Sequence, residues 1–312
     1  MITNIAMGCA VLAVLLAALT AIGTVMIERQ YPPAGRFVEV TGGRLHVLER
    51  GQPDAPVVVL LHGASGNLQD VNAALGALLA TRYRVIMIDR PGHGWSDRPG
   101  GDDDASPARQ AALIAQALEK LGVARAILVG VSWSGALATN YALTFQERVT
   151  GLVLLAPVSH RWPGGIAWNY RLASMPVLGP LFVRTALMLL AYPMLDRLVG
   201  AAFAPQAMPD GYPARAALAL ALRPGEFLAN ARDVANLKAN VTLQAHRYGE
   251  IRVPVVILAG DRDTTVSPEI HSKALAAAIP NAKLIILPGV GHIIHHAQAE
   301  LVIGEIDAIA AR

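Results

Sequence analysis

The sequence predicts a mostly parallel α/β sheet covered by helices on both faces, with a helical insertion late in the chain and an apolar helix ahead of it. Three observations lead there. Short apolar runs (Val57–Leu61, Arg84–Ile88, Ala126–Gly130, Gly151–Leu155) alternate with helical stretches, as strands buried on both faces of a parallel sheet do. The alternation stops over 157–252, where Pro-punctuated apolar helices take over, and resumes with Val253–Leu258 and Ala282–Leu287. Ile5–Ile27 carries no charged residue and is long enough to cross a bilayer core of about 30 Å as a helix. The chain thus divides into an anchor and linker (1–35), a core whose parts are 36–156 and 253–312, and a helical lid (157–252).

Each element has a local cause. Residues 1–4 carry no Lys or Arg, the apolar run exceeds a signal-peptide core, and Ala21-Ile22-Gly23 is a poor cleavage site. An uncleaved, single-pass membrane anchor is therefore expected. Arg29 and Arg36 are too few to fix its orientation. A spanning helix would consume the run and leave none of it for the core, and Pro32-Pro33 would act as a stiff linker. Phe37–Val40 and Arg44–Leu48 alternate like a hairpin turned at Gly42-Gly43. Helices are expected over Leu68–Ala80, Pro107–Leu121 and Ala136–Leu143. In the lid they fall at Pro176–Ala191, Met194–Phe203, Pro213–Leu222 and Glu226–Leu237, and after it at Pro268–Ala278 and Ala297–Ala311. Arg184 and the prolines at 176, 180 and 193 argue against a second membrane segment in the lid.

Composition removes several function classes. A net charge of +3, dispersed and without a basic run, gives no footprint for nucleic acid. The single cysteine, Cys9, lies inside the apolar run, so neither a disulfide framework nor a thiolate metal site is available.

The chemistry centres on Val129-Gly130-Val131-Ser132-Trp133-Ser134-Gly135. A strand ends at Gly130, a helix follows, and Ser132 stands at the apex of the turn between them, flanked two residues away by the small Gly130 and Ser134. That is a slightly relaxed nucleophile elbow. Ser134 also has small neighbours, but it would already lie in the first helical turn. A serine needs a base, and the base needs an orienting group. Both belong on loops at the strand C-termini, and two late loops qualify: Gly260-Asp261-Arg262-Asp263-Thr264-Thr265 and Pro288-Gly289-Val290-Gly291-His292. Asp263, farther from the strand end than Asp261, is better placed to reach His292; Asp261 reads as a turn former or a partner of Arg262. The amide of Trp133 and that of Ala64, after the His62-Gly63 turn, would bind an oxyanion. Among the other histidines, His62 and His93 read as loop supports and His160, His246 and His271 as surface or lid residues. His295 and His296 would point away from the elbow on a helix, and a metal reading with His292 lacks a carboxylate positioned with them.

Taken in order, LLHGASG, DRPGHGWSD, VGVSWSG, GDRDTTVSP and PGVGH resemble the α/β-hydrolase superfamily over residues 36–312. The resemblance is to lid-bearing members near the epoxide hydrolases, haloalkane dehalogenases, cofactor-free haloperoxidases and meta-cleavage-product hydrolases. The order Ser, Asp, His also matches that fold. The resembling epoxide hydrolases and dehalogenases carry aspartate at the elbow, where this chain has Ser132. The resemblance therefore implies acyl transfer through a Ser132–His292–Asp263 triad, without metal or organic cofactor. The expected substrate is an apolar small-molecule or lipid ester. A C–C bond hydrolase on the same triad, or a non-catalytic ligand-binding protein of the same fold, are the alternatives.

Overall fold

The computed structural model describes residues 2–312. Among these, eight strands form one sheet in the order β1 (Arg36–Val40), β2 (Gly43–Arg50), β4 (Arg84–Ile88), β3 (Val57–Leu61), β5 (Ala126–Val131), β6 (Val149–Leu155), β7 (Val255–Gly260) and β8 (Lys283–Leu287). β2 pairs antiparallel with β1 and β4, while every pairing from β4 across to β8 is parallel. The central strands β3, β5 and β7 are apolar throughout because successive side chains enter two different cores. From β3, Val59 and Leu61 face Leu113 and Ile114 of helix Pro107–Lys120 and Leu137 and Tyr141 of helix Ser134–Thr144. Val58 and Leu60 face the other way, toward Leu75, Leu79, Val302 and Ile306. The strand order reverses between β3 and β5, and an open α/β sheet places its crevice at the C-terminal ends of such a pair.

The insertion is helical, as the sequence predicts, but its breaks differ. Leu178–Phe203 runs as one nearly continuous helix. Pro180 occupies its first turn, where no amide is needed, and Pro193 sits in a short 3-10 turn that the helix passes through. The helix thus accommodates both prolines without ending at either. The last lid helix runs Pro224–Gln244, past the predicted end at Leu237. Leu237 and Val241, one helical turn apart, both enter the core, and Gln244 donates to the Ala136 carbonyl at 2.9 Å.

The N-terminal helix spans Ile2–Gln30, and Thr3–Gln30 is long and apolar enough to cross a membrane, with a mean hydropathy of 2.6. The expectation that none of the run contributes to packing is corrected at its C-terminal end. Ile27 is 3% exposed and packs with Met188, Ala217, Ala219 and Leu220 of the lid. A Cβ on Gly23 would stand 2.6 Å from Met188 Sδ, so glycine permits that approach. Glu28 pairs with Arg223 at 3.1 Å.

Candidate active site

Ser132 has φ +52°, a left-handed backbone that non-glycine residues adopt at a cost of about 1–3 kcal/mol. The turn is held by β6 and the segment that follows it: the Ser132 amide donates to the Leu155 carbonyl at 2.8 Å, and the Val158 amide to the Ser132 carbonyl at 3.0 Å. A Cβ on Gly130 would stand 2.6 Å from the Ser134 carbonyl oxygen. The relaxed second position has its own reason. Ser134 is fully buried and its hydroxyl donates to the His62 carbonyl at 2.5 Å, so this hydroxyl ties the elbow to the β3 loop and is unavailable to a substrate.

His292 and Ser132 face one cavity of about 770 Å³, without a hydrogen bond between them. His292 Nδ1 lies 2.7 Å from Asp263 Oδ2, and the other carboxylate oxygen accepts the amides of Thr265 (2.8 Å) and Val266 (2.9 Å). An ionised Asp263 is an acceptor only, so Nδ1 carries the proton and Nε2 keeps its lone pair. Asp261 instead accepts the Gly289 amide at 2.7 Å and lies 4.0 Å from Arg262, a turn-forming arrangement.

Ala64 and Trp133 line the same cavity, and among the described residues neither amide donates to a protein acceptor. Their surroundings are rigid. Arg90 is fully buried, lies 4.1 Å over the Trp133 ring, and donates to the Gly63 carbonyl (3.3 Å) and to Asp233 of the lid (2.9 Å). The Ser65 amide donates to Asn230 Oδ1 at 2.8 Å, and the Ser65 hydroxyl meets Tyr170 at 2.7 Å. Arg90 stands inside a motif quoted above; Asp233, Asn230 and Tyr170 carry no sequence signal, because their roles depend on how the lid folds back.

His62 and His93 support loops, as expected. His62 Nε2 accepts the Arg90 amide at 3.0 Å while Nδ1 donates to the Gly63 carbonyl, and burial with Arg90 beside it pushes its pKa down to about 3. His93 is likewise held neutral, first by burial and then by Arg90. His46, left open in the sequence, pairs through Nδ1 with Asp89 at 2.7 Å and through Nε2 with the Gly35 amide at 2.9 Å. Two expectations change. His271 is a buried cavity residue whose Nδ1 accepts the amides of Ser159 and His160, both at 3.2 Å; burial takes its pKa down to about 4. His295 also lines the cavity, because its helix begins at Ile294 and turns it toward Asp70.

A family profile described as the alpha/beta hydrolase fold matches residues 56–298. The chain belongs to the α/β-hydrolase fold family. It is therefore a hydrolase of that fold. An uncharacterized protein of Mycobacterium tuberculosis is 31% identical over 278 residues, covering 85% of this chain and 77% of the relative. The 2-hydroxy-6-oxononadienedioate/2-hydroxy-6-oxononatrienedioate hydrolase of Comamonas testosteroni is 29% identical, covering 80% of this chain and 85% of the relative. The crystal structure of a membrane phospholipase A, a bacterial virulence factor, is similar in fold with a TM-score of 0.69 at 22% identity. It covers 99% of this chain, N-terminal helix included, and 96% of its own.

Proposed function

We propose that this α/β hydrolase is a membrane-anchored serine esterase acting on the carboxylic ester of an apolar small molecule or lipid. The observation that carries the reading is the Asp263–His292 pair facing Ser132 across one cavity. Ser132 Oγ attacks the ester carbonyl and gives its proton to His292 Nε2. The amides of Ala64 and Trp133 bind the oxyanion, and His292 returns the proton to the departing alcohol. Water, deprotonated by His292, then cleaves the acyl-enzyme and releases the acid. Asp263 fixes the tautomer and stabilises the imidazolium.

His295 is not placed to act as the base, since Nε2 is engaged by Asp70 and Nδ1 is buried. The ester reading over the C–C reading follows from the lining. Among the described residues no Lys or Arg lines the cavity, which Leu187, Leu195, Leu198, Leu218, Leu222 and Phe227 make apolar. A dicarboxylate of the kind named for the Comamonas relative would lack a cationic partner there. A lipid source agrees with the exposed Leu178, Leu181, Leu189, Leu190 and Leu198 on the lid helix that packs beside the N-terminal helix. The test is fluorophosphonate labelling with peptide mapping, then turnover along an acyl-chain series. Label on the Ser132 peptide, lost in Ser132→Ala, with rates rising toward longer chains, is expected. Unimpaired labelling of Ser132→Ala overturns the nucleophile. Cleavage of a vinylogous diketone with none of any ester favours the C–C hydrolase.

A further inference from the structure

We propose that Asp70, His295 and His296 form a binding site for a divalent transition-metal ion of the zinc type, in the wall of the cavity. Asp70 lies on the short helix Leu68–Val71, and the two histidines lie on Ile294–Ala297, immediately after His292. The sequence hides the site because the carboxylate stands 225 residues before His295.

Three features of the cluster point to an ion. The first is crowding on one carboxylate. Asp70 Oδ1 lies 3.0 Å from His295 Nε2, 3.0 Å from His296 Nε2 and 2.7 Å from the Tyr212 hydroxyl, and His295 Nε2 lies equally 3.0 Å from Oδ2. Both imidazoles thus converge on the one carboxylate with the nitrogens that would ligate. One cation between the carboxylate and the two imidazoles would replace two of those contacts, and Tyr212 would remain as the outer partner that orients the ligating carboxylate.

The second is spacing. The candidate ligand atoms of the three residues all lie within 4.8 Å of one another. Bonds of about 2.0–2.2 Å to zinc place tetrahedral neighbours about 3.3–3.6 Å apart, so the two 3.0 Å separations between Asp70 and the imidazoles have to open by only a few tenths of an ångström. The third is His295 itself. It is fully buried, and it turns Nε2 onto the Asp70 carboxylate, so the nitrogen that would ligate is the one directed into the cluster.

Asp70 and His295 also line the cavity, so the fourth coordination position opens toward it, the pattern of a site that keeps one position for water or a substrate oxygen. The readout is binding, so the outcome does not depend on what Ser132 attacks; a bound zinc would add a cation to a lining that carries no Lys or Arg among the described residues.

The test uses the full-length chain in detergent micelles, stripped with a chelator and dialysed against zinc. One zinc per chain is expected, with affinity falling at least tenfold in both His296→Gln and Asp70→Asn. His246→Gln, at an exposed histidine, should bind as the parent does. No retained zinc, or retention that survives both substitutions, overturns the site. Because Asp70→Asn removes a carboxylate that several groups share and could unfold the chain, anomalous diffraction at the zinc edge from unsubstituted crystals provides a second reading. A peak between Asp70 and His296 supports the site, and zinc bound only elsewhere overturns it.

Discussion

Asp261 and Asp263 stand two residues apart on one loop, yet only Asp263 contacts His292. The pair separates a positioning effect from a general charge effect. Asp263→Asn should lower kcat on a short ester by about 10⁴, because the amide stabilises the wrong imidazole tautomer. Asp261→Asn, whose carboxylate holds the Gly289 turn, should cost far less; kinetics that rank them the other way would move the role to Asp261. These residues were legible in the sequence because each sits in a short local motif whose geometry follows from strand, turn and small neighbours. Asp70 was not legible. It falls in an ordinary helical stretch, and only the close approach of Ile294–Ala297 gives it two imidazoles. His295 shows the same limit from the other side. Its direction depends on where a short helix starts, and a shift of one residue on a helix turns a side chain by about a quarter of a turn.

The element that decides how firmly the site is held is the lid helix Pro224–Gln244. Its Asp233 bonds Arg90 at 2.9 Å and Arg98 at 2.9 Å, and the carboxylate and both guanidinium groups are out of water or nearly so. Asp233→Ala leaves Arg90 charged and unpaired in the interior, so a loss of about 3–5 kcal/mol is expected in denaturant unfolding. A change below about 1 kcal/mol would mean that the arginines find other acceptors. At the start of the same helix, burial raises Glu226 from 4.5 to about 7, against the opposing pull of Arg223. The folded chain therefore holds this proton over a range where the unfolded chain has released it. Stability from this group is complete below pH 4.5 and is lost as pH rises through 7. Across that window the loss is at most about 3 kcal/mol. His62 and His93 act oppositely, since their depressed pKa values remove stability as pH falls below 6.5. The difference between the parent and Glu226→Gln isolates the glutamate: their unfolding free energies should converge on one side and separate on the other as pH crosses this window. A constant difference from pH 5 to pH 8 would place the Glu226 pKa outside it.

At the scale of the whole molecule, the question is whether the N-terminal helix and the hydrolase domain are separate bodies. The alternation of strands and helices was legible because parallel strands demand it. The docking was not, because an uncharged run looks the same whether lipid or protein covers it. Length decides the matter. The helix has 29 residues, about 43 Å at 1.5 Å per residue, against a bilayer core of about 30 Å. If its apolar start is in the membrane, about two turns emerge, and these are the turns that carry Ile27 and Glu28 onto the lid. The contact continues past the helix, where Trp95 Nε1 donates to the Tyr31 carbonyl at 3.0 Å. A chain beginning at Gly35 would expose Met188, Ala219 and Leu220 and lose the burial of Ile27, which alone is worth about 1.5–3 kcal/mol. It should melt below the full-length chain, whereas a chain beginning at Thr20 should melt close to it. Both should leave the membrane fraction. The lid packs on this helix at one face and lines the cavity at another through Leu187, Leu218 and Leu222, so the Gly35 chain should also show a raised KM for long-chain esters in solution. Turnover of a short ester should change less, because Ser132, His292 and Asp263 are held by the sheet. Equal melting temperatures for the two truncated chains would make the docked turns a passive tether, and retention of the Thr20 chain in membranes would place the anchor elsewhere in the molecule.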